Sequence, residues 1–358
     1  MTKIAINGLG RLGRELIYQI LTDTSGKLEL VLVNDENIFS VEKALYFLTY
    51  NSTNLGRRTE CSFQISTGTD NSECFNVYNS SLALTASDIR YCSNSVANAP
   101  WGELGVDIII DCTGNTASDY LATYKNINGV KKVFYCGINT DDTEYGQVYT
   151  PGVIDSVVLN NKNNYFISLC DAASQAIASI LYILSDKYTL TEISGTIVQA
   201  YTNDQTLLDG PKIANSLERC RAAAENIVPS TTSLACLNRL CSALNGNMTF
   251  KTFRVPVSIG AAISLSIYTE TSNITQETIN NLLKSGPNIK YYTSPFTSDG
   301  KFAVSSDIIG ETSAVAVLPS YTTCKATNMG TRINIVGLYD NESGFASQIV
   351  KTLLSLQS

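Results

Sequence analysis

The sequence predicts an α/β chain of two domains: a parallel sheet wound with helices, then an α+β domain with a large, mostly antiparallel sheet. Its 358 residues exceed the size, roughly 250–300 residues, at which a single core stops growing. The first part alternates short apolar runs with segments of helical spacing, which is typical of parallel sheets. The later part carries long runs of alternating apolar and polar residues, which is typical of antiparallel strands covered on one face.

The first elements form a strand, turn, helix and strand. Lys3–Asn7 is an apolar run that ends at a glycine-rich turn. From Arg11 to Leu21 the apolar residues recur at helical spacing, and Leu28–Val33 is a second buried-strand run. A βαβ unit of this kind indicates parallel pairing.

Two further strands are predicted at Val106–Asp111 and Val130–Tyr135, each followed by a polar or glycine-containing turn. We therefore expect the alternation of strands and helices to occupy the chain as far as Cys170. The stretch Ser66–Ser72 is rich in Ser, Thr, Asp and Asn, and we expect a surface loop there.

The pattern of apolar and polar residues changes after Cys170. Ala172–Ser185 is an almost wholly apolar helix, which predicts burial on most sides. Strands are predicted from the alternating runs Glu192–Tyr201, Thr249–Val257, Ala262–Thr269, Ser313–Leu318 and Thr331–Leu338. Ser343–Leu356 is amphipathic, so we assign residues 1–169 and 170–340 to two domains and expect residues 341–358 to pack on the first.

The amino-acid composition limits which partners and which cellular compartment are expected for the protein. An apolar content of 44% with 16% charged residues fits a folded globular protein, and a net charge of -7 argues against a nucleic-acid partner. No apolar run is long enough for a bilayer, and the start of the chain has no charged-then-apolar leader, so no membrane partner is predicted. Ten cysteines without a disulfide-like spacing favour a reducing compartment, and we expect a cytoplasmic location.

The sequence contains no histidine. A general base must therefore be a carboxylate, a lysine, a tyrosine, a cysteine or water. Zinc sites built on imidazole are excluded, and no metal site is predicted.

Three glycines after the first strand indicate a dinucleotide site. Gly8 allows a tight turn, Gly10 allows the backbone to approach a pyrophosphate, and Gly13 allows close packing of helix on strand. The phosphates would meet N–H groups at the start of the helix. A turn that merely needs glycine is the alternative, but the flanking strand and helix favour the Rossmann-type interpretation.

An acidic pair follows the second strand. Asp35 would accept hydrogen bonds from the adenine-ribose hydroxyls, and Glu36 beside it would repel a 2′-phosphate. The sequence therefore predicts NAD, in preference to NADP, as cofactor.

Eight segments with recognisable motifs are spread in order over nearly the whole chain: KIAINGLGRLGR, VNDEN, LTYNSTNLGR, WGELGVDIIIDCTG, LLDGP, CRAAAENIVPSTT, FRVPVS and LYDNESGFAS. Together they resemble the signatures of the glyceraldehyde-3-phosphate dehydrogenase family. The resemblance implies a Rossmann-type doubly wound parallel sheet, a catalytic domain with a large sheet, NAD as cofactor and assembly as a homotetramer.

The resemblance also implies chemistry on a cysteine. In the family a thiolate adds to an aldehyde, hydride passes to NAD, and phosphate cleaves the thioester to an acyl phosphate. The nucleophile of the family's Ser-Cys-Thr-Thr-Asn motif matches Cys170, and Asp171 stands where the family has threonine. The family's activating histidine is replaced by Gln199.

The remaining site residues are carried over by motif. For the substrate's own phosphate they are Thr202, Asp204 and Arg254, and for the attacking phosphate Arg219 and Thr232, with Asp171 in that pocket. For the cofactor they are Gly8, Gly10, Arg11, Leu12, Gly13, Asp35, Thr113, Gly114, Asn341 and Phe345.

The replacements predict a weakened nucleophile. The following helix favours a thiolate at Cys170, but the Asp171 carboxylate disfavours a second negative charge and Gln199 cannot accept a proton. Three hypotheses follow: a divergent phosphorylating dehydrogenase of phosphorylated aldehydes, a related dehydrogenase that releases acid by hydrolysis, and a degenerate NAD-binding paralogue with a binding or regulatory role.

Overall fold

The computed structural model describes residues 1–52, 56–57, 59–125, 127–139, 144–154, 156–211, 216–230, 235–244, 246–293 and 296–356. These residues form two compact units. One comprises residues 1–171 with 346–358, and the other comprises residues 172–345.

The first unit is built on a sheet of eight strands. Its strands, with a separate two-stranded pair, are β1 Thr2–Asn7, β2 Leu28–Asn34, β3 Tyr50–Asn51, β4 Gly56–Arg57, β5 Cys61–Thr67, β6 Glu73–Asn79, β7 Leu84–Cys92, β8 Ile108–Asp111, β9 Lys132–Tyr135 and β10 Phe166–Ser168. The helices are α1 Arg11–Thr22, α2 Val41–Thr49, α3 Ser118–Ala122 and α4 Val157–Asn160.

The strand order is β10-β9-β8-β1-β2-β7-β6-β5, and every pair from β10 to β7 is parallel. Because the carboxyl ends of parallel strands meet at one edge, the turns after β1, β2, β8, β9 and β10 lie side by side. A ligand of such a sheet binds at this edge.

The expected alternation of strands and helices is wrong between residues 61 and 92. There β5, β6 and β7 form an antiparallel meander, and β7 joins the parallel sheet through β2. The loop predicted over Ser66–Ser72 is also wrong at its start, since Ser66 and Thr67 belong to β5. Both residues lie on an edge strand, where polar side chains face solvent without cost.

The second unit is built on another eight-stranded sheet. Its strands are β11 Leu190–Ala200, β12 Val228–Ser230, β13 Met248–Val255, β14 Ala261–Thr269, β15 Ile289–Tyr291, β16 Val315–Val317, β17 Thr323–Thr327 and β18 Gly330–Tyr339. The remaining helices of the chain are α5 Ala172–Ser185, α6 Ala235–Leu240, α7 Gln276–Lys284 and α8 Ser343–Ser355.

This sheet runs β12-β13-β11-β14-β18-β16-β15, with β17 also paired to β18. Most pairs are antiparallel, but β11 with β13 and β15 with β16 are parallel. The predicted fold class is therefore confirmed: a parallel, Rossmann-type sheet and a second, mostly antiparallel sheet.

Helix α5 has the predicted bounds, and most of its apolar residues are buried, as the composition of the run requires; Tyr182 is an exception, with 45% of its surface exposed. It packs on β11, β16 and β18 and so covers one face of the second sheet. Within the described part of the chain, no helix is both long and apolar enough to traverse a bilayer.

Candidate active site

Two glycines of the turn after β1 are required by packing. Gly8 has a φ of +99°, and a Cβ there would lie 2.9 Å from the carbonyl carbon of Cys112. A Cβ on Gly13 would lie 2.0 Å from the carbonyl oxygen of Gly8, so only glycine lets α1 approach the turn this closely.

Gly10 differs from its neighbours, because nothing in the protein demands a glycine there. Its φ is −65°, and a Cβ would meet no atom within 4 Å. As the N-cap of α1 it brings no side chain to the first turn, where the partly exposed Arg11 and Leu12 begin the helix. A side chain at position 10 would fill the cradle before the helix N-terminus, and this cradle fits a pyrophosphate.

Asp35 is tied to the same turn. Its Oδ2 accepts a hydrogen bond from the backbone N–H of Leu9 at 2.6 Å, and its Oδ1 accepts one from Asn37 at 2.9 Å. The carboxylate, which follows β2, thus lies beside the glycine turn. This is where recognition of a ribose hydroxyl requires an acceptor.

Asp111 organises the turn after β8, and the sequence interpretation missed this role. Its Oδ1 accepts hydrogen bonds from the N–H and the hydroxyl of Thr113 at 2.9 Å and 2.6 Å. Its Oδ2 accepts from the hydroxyls of Tyr120 and Tyr124. Burial and the nearby Asp111 charge raise the pKa of both tyrosines, which therefore remain donors. The acidic residue before Thr113 was the signal for this role.

Gly114 completes that turn, with a φ of +77° and open space where a Cβ would be. Thr113 and Gly114 are both exposed. They follow β8, next to β1, so the turn lies beside the glycine turn at the sheet edge. The cofactor residues predicted from the first 120 residues are therefore grouped together.

Cys170 follows β10 at the same edge and has an unusual backbone. Its φ is +61°, a region that non-glycine residues rarely adopt, and it is held there by two hydrogen bonds. The Cys170 N–H donates to Ser168 Oγ at 3.0 Å, and its carbonyl accepts from the Gly137 N–H at 2.7 Å. Such conformations concentrate at functional positions.

The same cysteine is completely buried, with 0% of its surface exposed. The sequence does not predict this enclosure. Asp171, the next residue, is partly exposed.

Gln199 lies in the second unit, near the end of β11. Its Nε2 donates to the hydroxyl of Tyr339 at 3.4 Å. It is the register partner of Arg254 on β13, and Arg254 Nη1 donates to the Ala200 carbonyl at 2.8 Å. The residue at the histidine position and one predicted phosphate ligand are thus neighbours.

Three other predicted phosphate ligands contact one another. Asp204 accepts hydrogen bonds from the Thr202 hydroxyl and from Arg219 Nη1, whereas Arg219 Nη2 donates to Ser230 Oγ at 2.8 Å. The sequence interpretation assigned Asp204 and Arg219 to different phosphates, but the structure joins them in an ion pair. Thr232 lies outside the described residues.

The two predicted nicotinamide neighbours come after β18. Asn341 Oδ1 accepts from the Gly260 N–H at 3.0 Å, which fixes the orientation of its amide. Asp340 Oδ1 accepts from the N–H groups of Glu342 and Ser343 and so caps α8, on which the buried Phe345 lies. Among the described residues, no group of three or more Cys, Asp or Glu side chains could hold a metal ion.

Comparison with known proteins identifies the family. The model of the glyceraldehyde 3-phosphate dehydrogenase NAD-binding domain matches residues 2–119, and that of the C-terminal domain matches residues 171–341. A glyceraldehyde-3-phosphate dehydrogenase 2 of Streptomyces avermitilis is 31% identical over 97% of this chain and 96% of its own length. The chain belongs to the glyceraldehyde-3-phosphate dehydrogenase family.

Other family members are similarly related. Glyceraldehyde-3-phosphate dehydrogenases of Streptomyces coelicolor and Clostridium pasteurianum are 30% and 29% identical over 97% and 99% of this chain. They are covered over 96% and 98% of their own lengths. The resemblance inferred from the motifs is confirmed, and the chain is a glyceraldehyde-3-phosphate dehydrogenase-like, NAD-dependent dehydrogenase with NAD as its cofactor.

Proposed function

We propose that this protein oxidises a phosphorylated aldehyde through a thioester on Cys170, and that it does so slowly. The observation that carries the proposal is the backbone of Cys170. Its φ of +61° is held by two hydrogen bonds at the sheet edge that also carries the glycine turn. Packing alone does not call for a cysteine in that conformation.

The proposed division of labour follows the two domains. Residues 1–169, with 341–358, hold NAD through the two turns at the sheet edge, Asp35, Asn341 and Phe345. Residues 170–340 hold the substrate through the phosphate ligands, of which Arg254 and Arg219 supply the positive charge. When bound, NAD supplies the acceptor for the hydride.

In the proposed reaction the Cys170 sulfur bonds to the aldehyde carbon, and the thiol proton leaves to water or to Asp171. The Gln199 amide donates a hydrogen bond to the developing oxyanion. Loss of hydride from that carbon leaves a thioester. Phosphate or water then cleaves the carbon–sulfur bond and regenerates the thiol.

Three features make this chemistry slow. Gln199 cannot accept the thiol proton, and loss of a general base commonly costs about 10²–10⁴-fold in rate. Asp171 repels an attacking phosphate dianion. The Asp204 carboxylate already occupies Arg219, so a phosphate must compete with an anion of the protein itself. Cleavage by phosphate should therefore suffer more than formation of the thioester, which favours hydrolysis to the acid as the alternative ending.

A second candidate function rests on a different observation. Cys170 is fully buried, and this favours an NAD-binding protein that turns over no aldehyde and acts as a binding or regulatory protein. On either proposal we expect a cytoplasmic homotetramer with no nucleic-acid partner. In the part of the chain that the structure describes, none of the ten cysteines forms a disulfide, which suits a reducing compartment.

Aldehyde oxidation distinguishes these functions. Glyceraldehyde 3-phosphate and NAD are incubated with wild type, Cys170→Ser and, as a control that loses a thiol elsewhere, Cys324→Ser, each with and without inorganic phosphate. Turnover that phosphate stimulates and that only Cys170→Ser abolishes supports the phosphorylating reaction. Turnover indifferent to phosphate supports hydrolysis. No NADH from the wild type at any pH would leave the binding function.

A further inference from the structure

A pair of thiols lies under the dinucleotide turn. Cys112 follows β8 and Cys136 follows β9, and the last residues of these two strands, Asp111 and Tyr135, are register partners. The ladder continues past the strands, because the Cys136 N–H donates to the Asp111 carbonyl at 3.1 Å. Register partners point to the same face of a sheet, so the two thiols lie side by side.

The Cys112 thiol also influences the titration of the Cys136 thiol. The hydrogen bond with Cys112, together with burial, raises the pKa of the Cys136 thiol, which therefore keeps its proton at neutral pH. Neighbouring strands lie about 4.8 Å apart, within the Cα separation of about 4.4–6.8 Å that disulfides span. The pair can close without separating the strands.

The two thiols lie next to the proposed NAD site, so a disulfide between them would affect NAD binding. A Cβ built on Gly13 would lie 3.5 Å from Cys112 Cβ, and one on Gly8 would lie 2.9 Å from the Cys112 carbonyl carbon. Cys112 therefore lies directly against the turn. Thr113, the next residue, belongs to the second turn at the site.

We propose that Cys112 and Cys136 form a reversible disulfide that weakens NAD binding. The inference rests on the proposed function only in placing NAD at this turn. A hydroperoxide such as hydrogen peroxide is the oxidant, and Cys112 is the thiol it reaches, since Cys112 is partly exposed and Cys136 is buried.

The chemistry balances in two steps. The Cys112 thiol reduces hydrogen peroxide to water and becomes a sulfenic acid. The Cys136 sulfur then bonds to the Cys112 sulfur, and the sulfenic hydroxyl leaves with the Cys136 proton as a second water. An S–S bond is about 2.05 Å long, much shorter than a contact between thiols, so Cys112 moves relative to the glycine turn. A dithiol reverses the change.

Two measurements test the proposal. Wild type, Cys170→Ser and Cys324→Ser are treated with an equivalent of hydrogen peroxide, blocked with iodoacetamide and digested for mass spectrometry. A peptide linking residues 112 and 136 is expected in all three, and in neither Cys112→Ser nor Cys136→Ser. Absence of that peptide from wild type would overturn the proposal.

Calorimetry then measures NAD binding before and after oxidation. We expect about tenfold weaker binding by the oxidised wild type, restored by dithiothreitol, a coupling of ordinary size. Oxidised Cys324→Ser should weaken equally, and Cys112→Ser should not respond to peroxide. Unchanged affinity in cross-linked wild type would refute the regulatory role. Failure of the reduced protein to bind NAD would instead count against the proposed function, because the cross-link is detected without NAD.

Discussion

In the proposed mechanism, the residue at position 199 determines whether the Cys170 thiol has a proton acceptor, and this residue is Gln199. Its amide donates to the Tyr339 hydroxyl and has no basic nitrogen, and no histidine exists elsewhere in the chain to replace it. An imidazole at this position could both accept the thiol proton and pair with the thiolate. If the proposed mechanism holds, a substitution at position 199 should therefore restore the missing base.

We expect Gln199→His combined with Asp171→Thr to raise the rate of aldehyde oxidation by about 10²–10⁴-fold. The first change supplies the base, and the second removes the charge that opposes both thiolate and phosphate. The measurement is kcat for glyceraldehyde 3-phosphate with NAD and phosphate. Gln199→Ala is the control, which removes the amide donor and should slow any residual turnover. A double variant no faster than wild type would show that the scaffold itself is incompetent.

Cys92 gives a pH dependence of stability. Burial at the end of β7 raises the pKa of its thiol from 9.0 to about 11, because the charged form loses contact with solvent there. Between these values the unfolded chain ionises while the folded chain does not. The contribution of this thiol to stability is therefore present below pH 9 and is lost as the pH rises towards about 11.

Urea unfolding under reducing conditions at pH 8, 9, 10 and 11 checks this sign. The free energy of unfolding of wild type should fall more steeply above pH 9 than that of Cys92→Ala, whose remaining thiols are unchanged. Parallel curves for the two proteins would mean that the thiol titrates alike in the folded and unfolded chains.

At the scale of elements, two glycines at the start of α1 have different roles: Gly13 is required for packing, and Gly10 leaves space for the cofactor. Gly13→Ala puts a Cβ 2.0 Å from a backbone oxygen, so we expect it to lower the free energy of unfolding by at least about 1–3 kcal/mol. Gly10→Ala meets no atom and is already in an extended conformation, so its cost should stay under about 1 kcal/mol.

Gly10→Ala should have little effect on stability but a large effect on NAD affinity. A methyl group there blocks the approach of a phosphate to the first N–H groups of α1. One lost hydrogen bond to a charged group costs about 1.5–3 kcal/mol, so NAD affinity should fall about tenfold or more. Thermal unfolding and calorimetry on Gly10→Ala give the two numbers. If Gly10→Ala keeps both its stability and its NAD affinity, the pyrophosphate does not bind at this turn.

How far the sequence predicts an element depends on what its neighbours contribute. Helix α5 was predicted with its full bounds because a long apolar run needs no partner to be recognised. The parallel pairing of β11 with β13 runs against the prediction, since their alternating runs indicate antiparallel strands and alternation by itself does not fix the direction of pairing. The loop prediction at Thr67 is wrong because polar residues on an edge strand have the composition of a loop.

The candidate site divides in the same way. The glycine turn and Asp35 could be predicted because the motif is local, and the structure brings them together. The burial of Cys170 and the pairing of Asp204 with Arg219 could not, because both depend on residues distant in the sequence. A sequence motif shows which residue stands at a functional position, but it does not show whether a neighbouring side chain is already bonded to that residue.

At the scale of the molecule, apolar surface bears on assembly. In the second unit Leu207, Leu208, Leu217 and Ile227 are 78%, 75%, 84% and 68% exposed. Backbone hydrogen bonds from Thr206 to Arg219 and from Gly210 to Cys220 hold the segment of Leu207 and Leu208 against the segment that follows Leu217. A group of large exposed apolar side chains marks an interaction surface, and the homotetramer we propose would use it.

We therefore expect Leu207→Asp with Leu217→Asp to convert the assembly into smaller species, because each buried leucine contributes about 1.5–3 kcal/mol and a symmetric interface repeats every loss. Sedimentation velocity at micromolar concentration measures the change. Met329→Asp is the control for each single change, since Met329 is 83% exposed on the turn between β17 and β18 and its substitution adds one of the two negative charges that the double variant adds. A wild type that sediments as a monomer, or a double variant that sediments as wild type does, would show that this surface does not hold copies of the chain together.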